Sequence, residues 1–149
     1  MDLHEIHGEN FFVSPRLPVN TYVSGFVTRW DRMQTIDTVD ALDVVLAGAT
    51  TRPALIFKHS LTCGTSAMAM EEMLDLMSDP PTDVDVWLVR IQAARVVSDA
   101  IETRLKVRHE SPQVLLVRDG QVVWSATHHR VTAEGVRTAL RSHLVTYSR

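Results

Sequence analysis

Residues 53–66 read PALIFKHSLTCGTS, an apolar run followed by a short polar segment that contains a cysteine. The run Pro53–Phe57 has the length of a buried β-strand. From about Cys63 to Met77, apolar residues recur on one side at helical spacing, and acidic residues fall on the other side. The stretch therefore predicts a strand that leads into a helix, with Cys63 at the junction.

The rest of the chain alternates between helices and strands in the same way. In chain order we expect a helix over 39–46 capped within Thr35–Asp37, a strand over 84–89, a helix over 97–105, two strands over 114–117 and 122–124, and a helix capped by Thr132. Asp119-Gly120 separates the last two strands and favours a tight hairpin, because type I′ turns need positive φ at both positions. A right-handed parallel βαβ unit joined to an antiparallel hairpin and closed by a helix predicts an α/β, thioredoxin-like fold with a central mixed sheet.

Length and composition exclude several classes of protein. The 149 residues, 45% hydrophobic and 22% charged, fit one globular domain, which we expect over 28–149 after an N-terminal extension of uncertain structure over 1–27. The net charge of −3 argues against nucleic acid as a partner. No apolar run approaches the roughly 18 residues that span a membrane, and the polar N-terminus does not resemble a secretory signal. A single cysteine excludes an intrachain disulfide and favours a cytoplasmic location.

Cys63 is the candidate nucleophile because of its place in the predicted fold. Ligands of α/β sheets gather at the carboxyl ends of the strands, and the N-terminus of a helix favours a thiolate over a thiol. We expect Lys58 and a protonated His59 to lower the pKa of Cys63 in the same direction; the alternative is that both are solvated at the end of the strand. A pKa of about 7 in place of ~8.5 would make an appreciable fraction of Cys63 nucleophilic. The alternative is a buried structural cysteine. Small polar neighbours favour an accessible turn instead; they are Ser60, Thr62, Gly64, Thr65 and Ser66.

Two further positions define the predicted chemistry. Ser66 stands where redox enzymes with two cysteines place the second thiol, so a disulfide at Cys63 would need a thiol from outside the chain to resolve it. Ser111-Pro112 precedes the hairpin, and in this arrangement we expect a cis peptide bond there. Backbone groups of Ser111 would then face the reactive sulfur and pair with the peptide-like part of a thiol substrate.

Three stretches, residues 55–63, 107–116 and 119–124, resemble the YtxJ family of the bacillithiol system. Its members are monothiol bacilliredoxins with a thioredoxin-like fold, and the resemblance covers about residues 28–146. It implies that Cys63 removes bacillithiol, or a similar low-molecular-weight thiol, from S-thiolated client proteins through a mixed disulfide. The small thiol is then a co-substrate, no cofactor is tightly bound, and a disulfide reductase is a further candidate partner.

We expect the residues around Cys63 either to stabilise its thiolate or to align the substrate. Gly64 and the backbone N–H groups of Thr65 and Ser66 would stabilise the thiolate, while Ser111 and Pro112 would align the substrate.

Cationic side chains near the proline turn are candidates for substrate recognition. Arg108 and His109 lead into this turn, and the carboxylates of the malate group of bacillithiol would be met by Arg108 or Arg130. The alternative is that both arginines point into water. No metal site is predicted, because neither the pair His4 and His7 nor the adjacent histidines at 128–129 provide a closed set of ligands.

Two other functions remain open from the residues alone. Cys63-Gly64-Thr65-Ser66 differs at one residue from the Cys-Gly-Phe-Ser of monothiol glutaredoxins, which hold a [2Fe–2S] cluster between two subunits. The chain is therefore also a candidate cluster-binding or carrier module. The third function is a thioredoxin-like adaptor without catalysis, since a fold alone does not fix an activity.

Overall fold

The computed structural model describes residues 33–144. In chain order the elements are β1 (Gln34–Thr35), α1 (Val39–Gly48), β2 (Ala54–His59), α2 (Gly64–Ser78), β3 (Asp85–Arg90), α3 (Arg95–Leu105), β4 (Gln113–Arg118), β5 (Gln121–Thr127) and α4 (Ala133–Leu144). A 3₁₀ turn, His128–Arg130, connects β5 to α4. The expected boundary between residues 27 and 28 and the N-terminal extension lie outside the described residues.

The strands form one mixed sheet in the order β1-β3-β2-β4-β5. β3 pairs in parallel with β1 and with β2, whereas β4 is antiparallel to both β2 and β5. β2 is therefore central, and all six of its residues are buried. The predicted α/β architecture, with a parallel βαβ unit and an antiparallel hairpin in one mixed sheet, is confirmed.

Side chains of β2 alternate between two hydrophobic cores, as the twofold period of a strand requires. Leu55 and Phe57 pack with residues of α2 and α4, while Ala54 and Ile56 pack with residues of α1 and α3. None of these four side chains is more than 1% exposed. The same alternation directs Lys58 toward the α3 side of the sheet and His59 toward the α2 side.

Local turn and cap signals in the sequence are confirmed at two places and wrong at one. Asp119 and Gly120 have φ of 51° and 71°, as a type I′ hairpin needs. The hydroxyl oxygen of Thr132 accepts the N–H of Gly135 at 3.0 Å and caps α4. α1, however, is capped by Thr38, whose hydroxyl oxygen accepts the N–H of Ala41, and not within Thr35–Asp37.

The early cap fails because a strand occupies part of that segment. Gln34 and Thr35 pair with Trp87 and Leu88 of β3, and the N–H of Ile36 donates to the carbonyl of Leu88 at 2.9 Å. The chain is therefore still extended at residue 36 and turns into the helix only afterwards.

None of the helices within residues 33–144 is both long enough and apolar enough to cross a membrane.

Candidate active site

Cys63 lies between β2 and α2, at the carboxyl end of the central strand. It is the N-cap of α2, with extended backbone (φ −109°, ψ 122°), and its carbonyl accepts the N–H of Ala67 at 3.2 Å. The residue is partly exposed. The next residue, Gly64, leaves open space where a Cβ would be. The sulfur therefore stands at the unpaired N–H groups of the helix with open space beside it.

Hydrogen bonds from the first turn of α2 lower the pKa of Cys63 below that of an ordinary thiol. The largest cause is the backbone N–H of Ser66, followed by the backbone N–H of Thr65; the hydroxyl groups of both residues add to the effect, and desolvation opposes it. Hydrogen bonds to the charged form favour that form. The N-cap position of Cys63 therefore favours the thiolate, as expected from the sequence.

Ser66 connects Cys63 to the proline turn. The Ser66 side chain is fully buried, its Oγ accepts the N–H of Ser60 at 3.2 Å, and it lies 3.4 Å from Oγ of Ser111. A hydroxyl has two acceptor lone pairs and one proton. If the N–H of Ser60 and the O–H of Ser111 occupy the lone pairs, the proton of Ser66 is left for the sulfur of Cys63.

The Ser111-Pro112 peptide bond is cis, as expected from the sequence. Pro112 is buried, its carbonyl accepts the N–H of His128 at 3.1 Å, and Ser111 remains partly exposed. Because Oγ of Ser111 contacts Oγ of Ser66 in the first turn of α2, the proline segment lies beside the start of that helix, where Cys63 is the N-cap.

The expectation that Lys58 and His59 lower the pKa of Cys63 is wrong. The ammonium of Lys58 contacts Nδ1 of His109 on the α3 side of the sheet, away from α2. His59 is 5% exposed beside the ring of Phe57, and burial lowers the pKa of its imidazole, which favours the neutral form. The groups that lower the pKa of Cys63 all belong to Thr65 and Ser66.

Gln92 is a site residue that the sequence did not indicate. Its Nε2 donates to Oγ of Ser60 at 2.7 Å and to Oγ1 of Thr62 at 3.2 Å, and its Oε1 accepts the N–H of Leu61 at 3.1 Å. The side chain thus binds three consecutive residues of the loop before Cys63. Gln92 follows β3, which is parallel to β2, so it lies at the sheet edge that also carries Cys63. This position in the chain was the signal by which the sequence could have indicated Gln92.

The basic residues expected near the proline turn occupy different environments. Arg108 is 89% exposed, with its Nε 3.9 Å from a carboxylate oxygen of Glu110. His109 is exposed but turns Nδ1 inward to Lys58. Arg130 is exposed at the end of the 3₁₀ turn, which also packs on α2. Arg108 and Arg130 are therefore available to solvent, whereas His109 has a structural contact.

Comparison with known proteins identifies the family. Residues 34–136 match the family model described as Monothiol bacilliredoxin BrxC. The chain belongs to the monothiol bacilliredoxin family. The match begins at β1 and ends within α4, and the resemblance drawn from the three sequence stretches is confirmed. Together with the fold, membership assigns the chain a thiol redox role.

Solved structures agree with this family on the fold. A thioredoxin-fold protein proposed to be an oxidoreductase is 26% identical, with a TM-score of 0.64 over 74% of this chain and 96% of its own. The thioredoxin of Malassezia sympodialis is 17% identical (TM-score 0.60; 74% and 90% covered), and that of Fasciola hepatica is 14% identical (TM-score 0.60; 74% and 99% covered). At these last identities the likeness shows a thioredoxin fold alone.

Proposed function

We propose that the protein is a monothiol thiol-disulfide oxidoreductase that removes bacillithiol, or a similar low-molecular-weight thiol, from S-thiolated proteins. The observation that carries the proposal is the N-cap position of Cys63, the single cysteine of the sequence, where groups of Thr65 and Ser66 lower its pKa. They favour a thiolate, which is the nucleophile in disulfide exchange. A cytoplasmic location belongs to the proposal, because thiols are kept reduced there.

The first step transfers the small thiol to Cys63. The thiolate attacks the sulfur of the small thiol in the client's mixed disulfide; a new disulfide forms at Cys63, the old one breaks, and the client leaves as a thiolate that takes up a proton. Gly64 leaves space for the incoming disulfide, and we expect the backbone of Ser111 with Pro112 to align it with Cys63.

The second step needs a thiol from outside the 149-residue sequence. Ser66 carries oxygen where a resolving sulfur would stand, so it cannot attack the disulfide at Cys63. A second molecule of the small thiol attacks instead, which releases Cys63 as a thiolate and yields the oxidised small thiol. Over the two steps, the client's mixed disulfide and one free small thiol give the client's free thiol and a disulfide of two small thiols. The client sulfur is reduced and one free small thiol is oxidised, so the exchange balances. A disulfide reductase would then recycle the oxidised small thiol.

Two exposed arginines supply the proposed specificity for an acidic thiol. Arg108 precedes the proline turn and Arg130 ends the 3₁₀ turn whose first N–H binds the carbonyl of Pro112. A guanidinium can bind a carboxylate with two hydrogen bonds. The malate carboxylates of bacillithiol are therefore the expected partners of Arg108 and Arg130.

The decisive experiment measures adducts by mass spectrometry. We expect the parent protein, given a client modified with bacillithiol, to gain the mass of one bacillithiol, while Cys63→Ser gains none and retains the melting temperature of the parent. The same client modified with glutathione or coenzyme A tests the choice of thiol. De-thiolation by Cys63→Ser, or no adduct on the parent from any of these clients, would refute the proposal.

The two alternatives from the sequence are separated by the same preparation. A [2Fe–2S] carrier, purified without oxygen, would be brown and would lose its visible absorbance in Cys63→Ser. A non-catalytic adaptor would form no adduct and bind no cluster. The pKa of Cys63 favours the exchange enzyme over the adaptor, because an adaptor has no use for a stabilised thiolate.

A further inference from the structure

Lys58 is a buried cation in the central strand, on the side of the sheet opposite α2. Its side chain is 0% exposed, and its Nζ lies 2.7 Å from Nδ1 of His109 and 3.2 Å from Oε1 of Gln113. Both hydrogen-bond partners are neutral groups, so no ion pair with them offsets the cost of burial. A buried ammonium is unfavourable unless its interactions are good. The residues that the Lys58 ammonium contacts therefore indicate which segment of the chain it fixes.

Both partners belong to the segment that carries the cis-proline. His109 precedes Ser111-Pro112 and Gln113 follows it, and Nε2 of Gln113 donates to the carbonyl of Arg108 at 3.1 Å. The ladder between β2 and β4 ends at the pair of Lys58 and Gln113. Residues 108–112 thus lie beyond the ladder, and the ammonium of Lys58 contacts His109 within them and Gln113 directly after them. His109 is also bound to α3, because its N–H donates to a carboxylate oxygen of Glu102 at 3.4 Å and its Nδ1 lies 3.2 Å from Oγ of Ser98.

The same strand, β2, leads into the loop that carries Cys63. Oγ of Ser111 is 3.4 Å from Oγ of Ser66, a distance at which a small displacement of the proline segment would remove the contact. We propose that Lys58 is a positioning residue, which fixes residues 108–113 so that Ser111 and Pro112 hold the substrate disulfide in line with Cys63. This inference rests on the proposed exchange function.

The contact between Lys58 and His109 also makes the positioning sensitive to acid. An ammonium has no lone pair, so Nδ1 of His109 accepts and the imidazole must be neutral. Protonation of His109 would place a second donor against Nζ. Four other charged groups act on this pair. The guanidinium of Arg95 opposes protonation of His109, and three carboxylates favour a positive charge at His109 or at Lys58: Asp99, Glu102 and Glu110. We therefore expect KM to rise as the pH falls.

The test compares Lys58→Met with Lys106→Met, because the sequence has only these two lysines and Lys106 is exposed. In Lys58→Met we expect KM for the mixed-disulfide client to rise at least about tenfold, because the loss of even one of its two charge-assisted hydrogen bonds corresponds to about that factor; kcat should change less than about twofold. Amide hydrogen exchange should accelerate over 108–113 but not over 60–66. The rise of KM on acidification should be absent. Alkylation of Cys63 by iodoacetamide should be unchanged, and Lys106→Met should match the parent throughout.

Unchanged KM or unchanged amide exchange in Lys58→Met would overturn the inference. An equal effect in Lys106→Met would also overturn it. If Lys58→Met does not fold, His109→Ala at the exposed end of the contact must raise KM and lose the acid dependence. Failure of the parent to de-thiolate any client would refute the proposed function separately, and the fixing of residues 108–113 is then decided by amide exchange alone.

Discussion

The buried ammonium of Lys58 predicts how the free energy of unfolding depends on pH, and this prediction does not depend on any activity of the protein. Burial lowers the pKa of Lys58 from 10.5 to about 8, although Glu102, Asp99 and Glu110 act in the opposite direction. At neutral pH the folded protein still carries the charge, at a cost. Replacing Lys58 by Met removes that charge and fills the same space with an apolar chain. We expect the stability of Lys58→Met relative to the parent to be higher at pH 7 than at pH 10.

The size and the sign of the effect follow from the two pKa values. A fall from 10.5 to about 8 corresponds to about 3 kcal/mol, at about 1.4 kcal/mol for each pKa unit. Because the folded-state pKa is the lower one, this penalty is complete below pH 8 and disappears as the pH rises toward 10.5. Lost hydrogen bonds to His109 and Gln113 act in the opposite direction by about 1.5 kcal/mol or more each, because their donor is charged. The change of the difference with pH, and not its sign at pH 7, is therefore the test.

The measurement is urea unfolding of the parent, Lys58→Met and Lys106→Met at pH 7 and pH 10. The free energy of unfolding of Lys58→Met relative to the parent should fall by about 2.5 kcal/mol between the two pH values, as linkage requires. Lys106 is exposed, so its variant should show a difference of less than about 0.5 kcal/mol. A pH-independent difference for Lys58→Met, or one equal to the control, would refute the electrostatic argument.

Three shorter predictions concern the candidate site. Alkylation of Cys63 by iodoacetamide should have a lower pH midpoint in the folded protein than in the urea-unfolded protein, because N–H groups of Ser66 and Thr65 stabilise the thiolate; equal midpoints would contradict this. The Ser66→Cys variant should release a small thiol from Cys63 without added thiol, whereas Ser66→Ala should keep the adduct by mass spectrometry; persistence in both would exclude attack from this position. Gln92→Ala, compared with Gln121→Ala at another exposed glutamine, should accelerate amide exchange over 60–62; equal exchange in the two variants would contradict the role of Gln92.

Local signals explain what the sequence predicted correctly. The hairpin at Asp119-Gly120 depends on the φ of two adjacent residues, and the cap of α4 depends on Thr132 and a neighbour three residues away. The place of Cys63 at the start of α2 follows from an apolar run and a helical period within one continuous stretch. In each case the residues that make the feature are close together in the chain.

What the sequence missed depends on contacts between distant residues. β1 has two residues and forms only because β3 is beside it, so no periodicity marks it. Strand alternation predicts that Lys58 and His59 point to opposite sides, but which side faces α2 depends on the packing of the whole sheet. Gln92 reaches Thr62 across 30 residues. These features belong to the tertiary arrangement and have no local pattern.

Ser66 links the ionisation of Cys63 to the order of steps in the proposed cycle. A hydroxyl at this position donates to the thiolate, whereas a thiol there would compete as a nucleophile. Lowering the pKa of Cys63 increases the thiolate fraction and decreases the intrinsic nucleophilicity of each thiolate, with a Brønsted slope of about 0.4–0.5. The same lowering makes Cys63 a better leaving group when the external thiol attacks. Because the slope is below one, the gain in thiolate outweighs the loss in nucleophilicity while the pKa stays above the ambient pH. The hydrogen bonds that prepare Cys63 for the first step therefore also favour its release in the second.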